Sequence, residues 1–157
     1  MKMISRLSVL FVMLLMATSA IAGIKKKKTP VKLLSAYTRS IPDAEQSNPP
    51  MQGTFIVIVW NYDTYPETMF WRGQNGWLTC NIEKAHRVVK KKVTTYTTEE
   101  MMIDQVRKGD TLMITPLTGG RYPIPAEISQ KAKNTLFYKT GGNNKWLSFS
   151  VSPISKK

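Results

Sequence analysis

Residues 54–60 read Thr54-Phe55-Ile56-Val57-Ile58-Val59-Trp60 (TFIVIVW). β-branched and aromatic side chains crowd the preceding turn of a helix but fit the pleated surface of a sheet. No polar residue interrupts the run after Thr54. A strand with one wet face alternates apolar and polar residues, and this one does not alternate. The run therefore predicts a central strand covered on both faces.

Working outward, Leu33 to Ile41 reads as a first strand with Leu33, Tyr37 and Ile41 on one face. Pro42 to Pro50 (PDAEQSNPP) and Asn61 to Thr68 (NYDTYPET) are loops by composition. Met69–Arg72 and Trp77–Ile82 form two arms of a hairpin about Gly73-Gln74-Asn75-Gly76, where Asn-Gly tolerates positive φ. In the second arm Leu78, Cys80 and Ile82 share one face, and Trp77, Thr79 and Asn81 the other. Val88 to Thr97 is a further strand, with lysines suited to a sheet edge.

Thr97 to Lys108 predicts a short helix: Thr97 and Glu100 are spaced as a capping box, and Gly109 would end it. Thr111 to Thr115 is a strand with Leu112 and Ile114 inward and Met113 outward. Pro116 to Pro125 is a loop, and Ala126 to Lys133 a second short helix. Thr135–Lys139 and Lys145–Val151 close the domain as a hairpin about residues 140–144, with Leu147, Phe149 and Val151 on one side.

This pattern predicts an all-β fold with up to two short helices. The expected architecture is an antiparallel β-sandwich of the immunoglobulin-like type, with a small open β-barrel as the alternative. The expected organisation is a leader over residues 1–22, a flexible basic arm over 23–32, one β-rich domain over 33–152, and a frayed tail over 153–157.

The leader reading rests on Lys2 and Arg6, an apolar run from Leu7 to Met16, and Ala20-Ile21-Ala22 as a cleavage pattern. The run is too short to span a bilayer comfortably, and no later apolar stretch of roughly 20 residues follows. Export to the periplasm or beyond excludes chemistry that draws on cytoplasmic ATP, nicotinamide cofactors or chromosomal DNA. The one cysteine, Cys80, excludes an intramolecular disulfide, which favours a bacterial envelope protein over a eukaryotic secreted one. Formal net charge is +13; without Lys2 and Arg6, 21 basic residues face 10 acidic ones, leaving +11. Such a field favours anionic partners, although it also serves plain solubility.

Chemistry-bearing residues are sparse. His86 and Cys80 are the only histidine and cysteine, six residues apart. Cys80, on the apolar face of its strand, reads as a small buried side chain, and His86, among Lys84, Arg87 and Lys90, as part of a wet basic segment; both readings argue against a catalytic pair. They cannot supply the three or four ligands zinc requires. Asn61, Asp63 and Glu67, or Asp43 and Glu45, lie in loops without calcium-loop spacing. No catalytic residues, metal site or cofactor are assigned.

Two clusters stand out. One is aromatic: Tyr62, Tyr65, Trp71 and Trp77 with Arg72 and Asn75, side chains suited to sugar rings or peptide side chains. The other is the basic ridge Lys84, Arg87, Lys90, Lys91 and Lys92. Together they point to an exported binding module for an anionic or glycan-like envelope polymer. A structural subunit of an envelope protein assembly is the alternative, and a small hydrolase ranks third.

If the leader reading holds, protein recovered from the periplasm of an expressing bacterium begins at Gly23. Mass spectrometry that finds Met1–Ala22 retained would refute it.

Overall fold

The computed structural model describes residues 30–41, 51–73, 76–117, 126–128 and 133–156. The leader, residues 23–29 of the basic arm, the 42–50 loop and most of the 116–125 loop lie outside them, as do Gln74, Asn75 and Lys157.

The protein is all-β. Its strands are β1 (Val31–Ile41), β2 (Met51–Trp60), β3 (Pro66–Arg72), β4 (Trp77–Lys90), β5 (Val93–Glu99), β6 (Thr111–Pro116), β7 (Thr135–Thr140), β8 (Asn143–Ser150) and β9 (Ser155–Lys156). They form one open sheet in the order β8-β7-β3-β4-β6-β2-β1-β9, with β5 paired to β4. The sheet curls into a half-barrel. Hydrogen bonding runs unbroken through β4, so the expected sandwich is not seen as two separate sheets, and the open-barrel alternative fits.

The TFIVIVW run lies in β2, flanked by β6 and β1. Ile56, Ile58 and Trp60 enter the main core, while Val57 enters a separate small cluster with Ala85 and Met113. Ile56, Val57 and Ile58 are all fully buried, which is why no polar residue follows Thr54 in the run. The main core draws apolar side chains from every strand from β1 to β8 except β5: Ala36, Ile58, Trp71, Ile82, Leu112, Leu136 and Leu147 are among them.

β4 holds the curl together. It pairs with β3 through Trp77 to Thr79, with β6 through Cys80 to Lys84, and with β5 through Lys84 to Lys90. Leu78, Cys80 and Ile82 face the core as the alternation predicts, and the 140–144 turn tightens to Gly141-Gly142.

Several expectations need correction. β1 begins at Val31, inside the expected arm. It carries a bulge at Leu34, because Leu33 pairs with Ile58 and Ser35 with Val57. The extra residue reverses the alternation, so Leu33 packs on the main core while Tyr37 stacks on Phe55 of the opposite face. Met113 faces away from the main core, yet it is buried in the second cluster.

Val88 to Thr97 is not one edge strand but a hairpin turning at Lys91-Lys92. The expected helix at 97–108 is absent: β5 takes Thr97 to Glu99, and only Ile103–Gln105 form a 3₁₀ turn. Tertiary pairing with β4 overrides the capping-box signal. Of the second expected helix, residues 126–128 form a turn, and 129–132 lie outside the described residues. The tail does not end in fraying: β9 pairs in parallel with β1 at Tyr37 and Thr38, and Ile154 packs on the core.

Gly109 closes the core at the end of β2. Its N–H donates to the Trp60 carbonyl at 2.6 Å, with φ of +93°. A side chain there would be strained.

Ile58→Ala is expected to cost about 2–5 kcal/mol, and Val57→Ala more than about 1 kcal/mol. Urea unfolding reads both. A Val57→Ala variant as stable as the parent would contradict burial of the second face.

Candidate functional site

The structure divides the aromatic cluster expected from sequence among three places. Trp71 is 4% exposed and belongs to the main core, so it offers no face to a ligand. This follows from register: Trp71 pairs with Leu78, and cross-strand partners share a face. Tyr62 lies at the far end of β3, where its ring contacts Trp60 and its hydroxyl is hydrogen-bonded to that of Tyr138 at 3.1 Å. Tyr65 is more exposed and lies against Gly141.

Trp77 and Arg72 remain together on the outer face of the sheet. The Arg72 guanidinium lies 5.4 Å from the Trp77 ring, which also packs on Phe137 at 5.2 Å. Trp146, not singled out from sequence, joins this wall through Phe70, with Lys139 4.9 Å over its ring. Ile128 is buried against Phe70 and Phe137. Both tryptophans are half-buried, so much of the wall is packing. Asn75 lies outside the described residues.

The basic ridge is also divided. Lys84 is engaged, its ammonium 3.3 Å from Asp110. Lys90, Lys91 and Lys92 form the tip of the β4–β5 hairpin and are exposed. Arg87 turns to the opposite face from Lys84, because the two are an odd number of residues apart on one strand.

Arg87 is where the two features of interest converge. It pairs in register with Tyr96 of β5, and the ribbon base leans across the second face of β2. Arg87, Thr94 and Tyr96 line one wall of a cleft of about 350 Å³, and Leu34 and Ser35 of β1 line the other. The bulge that reverses β1 is what brings Leu34 and Ser35 here.

Beside the cleft, Tyr37 stacks on Phe55 at 5.3 Å, and the Arg39 guanidinium lies 4.9 Å over the Phe55 ring. Tyr37 and Arg39 share the face of Ser35 by alternation. Burial pushes the Tyr37 hydroxyl above its ordinary value of 10.0, with Arg39 opposing the shift and Tyr96 adding to it. The result is a patch with two guanidiniums, three aromatic rings and the Ser35 and Thr94 hydroxyls.

Sequence reading found Arg87 but not Ser35, Arg39, Phe55, Thr94 or Tyr96. These residues come from four strands, and only the sheet order brings them together.

Cys80 and His86 lie on the same strand six residues apart, about 20 Å along it, so they cannot act as one dyad. Cys80 is a core residue, and burial pushes its thiol well above the ordinary 9.0. His86 pairs with Glu99 at 3.0 Å on the exposed ribbon. Asp63, one of the calcium candidates, pairs with Lys108 at 2.9 Å. Among the described residues no three His, Cys, Asp or Glu side chains cluster, and no helix is long and apolar enough to cross a membrane.

Comparison with known proteins found no matching family model, no matching curated protein and no matching solved structure.

Cys80 and Tyr138 are both held protonated by burial, Tyr138 with help from its Tyr62 hydrogen bond. Their folded values lie above the unfolded ones, so the unfolded chain ionises first as pH rises. Stability is therefore whole below about 9.0 and falls as pH climbs past 9.0 and then 10.0. Urea unfolding from pH 7 to pH 10.5 checks this, and a midpoint that stays level would contradict it. Cys80 should also resist alkylation at pH 8 until urea is added.

Proposed function

We propose that the protein is an exported, non-catalytic binding module of the bacterial envelope, and that it receives an anionic, glycan-like polymer in the cleft between β1 and the β4–β5 ribbon. One observation carries this reading: Arg87 and Tyr96, paired across the ribbon, face the same cleft as Ser35 and Thr94.

Each group suits a different part of such a ligand. A guanidinium binds a carboxylate or sulfate through two parallel N–H donors. An aromatic ring offers a flat apolar surface to a sugar face. Hydroxyls exchange hydrogen bonds with sugar hydroxyls. Arg39 provides a second guanidinium beside the cleft, suited to the next charge along a polymer. The strong positive charge would draw a polyanion toward the protein from a distance. The leader sequence supports the address.

A second reading, a structural subunit of an envelope protein assembly, draws on the open sheet. β8 ends the strand order and is bonded to β7 on one side only among the described residues. Such an edge can accept a strand from another protein. A stoichiometric protein that pairs with β8 in a purified complex would favour this reading.

Calorimetry against acidic and neutral oligosaccharides tests the first reading. The acidic ones should bind, and more weakly as salt rises. Arg87→Ala should weaken binding about 10-fold or more, and Tyr96→Leu, which keeps apolar volume, by about 3- to 10-fold. Absence of binding, or binding indifferent to both changes, would overturn the proposal.

A further inference from the structure

The tip of the β4–β5 ribbon has a feature that the cleft does not explain. The chain reverses through a two-residue turn in which both residues have positive φ: Lys91 at 45° and Lys92 at 68°. That is the type I′ geometry, for which Asn-Gly is the favoured pair. Ordinary L-residues there cost roughly 1–2 kcal/mol each. The chain does use Asn-Gly elsewhere, at Asn75-Gly76. Here it carries two lysines at the two strained positions, with a third, Lys90, beside them.

The flanking residues are equally unusual. Val89 and Val93 are 57% and 60% exposed. Val93 pairs with Lys90, and Val89 with Thr94, so the valines lie on opposite faces of the ribbon. Beyond Lys84, β4 pairs only with β5 among the described residues, so the ribbon end stands clear of the sheet. The base of the ribbon is anchored by buried Ala85 and by Tyr96. The result is an anchored base and an exposed tip with three ammonium groups between two bare valines.

We propose that this tip docks on the surface of an anionic lipid bilayer. Lysines at such a surface are attracted to lipid headgroups, and short apolar side chains beside them enter the headgroup–acyl boundary. Positive charge complements the anionic leaflet, and the two valines favour a bilayer over a soluble polyanion, which offers them no apolar layer. The strain at Lys91-Lys92 is retained because the charge at that point is what the docking uses. The inference goes beyond the cleft reading and does not depend on it.

The experiment is co-sedimentation with vesicles of phosphatidylglycerol mixed with phosphatidylcholine, and of phosphatidylcholine alone. All variants are compared in the same processed form. The parent should bind the anionic vesicles and release them at high salt.

Lys91→Asn with Lys92→Gly should raise the thermal midpoint by relieving the turn, yet weaken vesicle binding about 25-fold, at about 5-fold per lysine. Val89→Ser with Val93→Ser should weaken vesicle binding severalfold while leaving binding to dextran sulfate unchanged. Arg87→Ala should leave vesicle binding within about 2-fold, which separates this proposal from the cleft. The proposal is overturned if the Asn-Gly variant binds vesicles as the parent does. It is also overturned if the serine variant loses dextran sulfate and vesicles equally, the result expected for a soluble polyanion site.

Discussion

The structure depends on hiding both faces of β2. Ile56 and Ile58 project one way and Val57 the other, and all three are fully buried. A flat sheet would cover neither side. The first face is closed when the sheet curls until β3, β7 and β8 reach across to it. The second is closed locally, by Ala85 and Met113 with Phe55 and Tyr96 around them. At roughly 25 cal/mol per Å² of apolar area, either coverage is worth several kcal/mol.

The two closures have different consequences. The inner core is large and draws on nearly every strand. The outer cluster is small, and the ribbon that covers it meets β1 without filling the space between them. The cleft is what remains at that meeting. Its apolar lining is Leu34 and Tyr96, the latter packed on the cluster that buries Val57, and its polar rim is Arg87, Ser35 and Thr94. Fold and candidate site are thus linked through one residue pattern in β2.

Much of the fold was legible because it is written locally. The two-sided character of β2, the hairpin at 73–76 and the hairpin at 140–144 follow from composition and turn chemistry. The parts that were missed are of two kinds. Some break a local rule: Lys91-Lys92 forms a turn without a turn-forming residue, and the Leu34 bulge reverses an alternation that looks regular in sequence. Others are non-local: β9 pairs with a strand more than a hundred positions earlier, a contact no window can reveal. The candidate site suffered from both, since its walls, Leu34 and Ser35 against Arg87, Thr94 and Tyr96, are far apart in sequence and one depends on the bulge. Trp71 was recoverable: with Leu78 inward and the turn fixed at 73–76, the register places Trp71 inward as well.

The central claim is that the cleft where the ribbon base meets β1, beside the covered second face of β2, is the receiving surface for an acidic glycan. An amide chemical-shift titration with an acidic tetrasaccharide tests it most directly. The account predicts saturable shifts centred on Ser35, Arg87, Thr94 and Tyr96, with the Trp77 and Trp146 indole signals unmoved. Shifts centred on those two indoles, or no saturable shift at all, would contradict it.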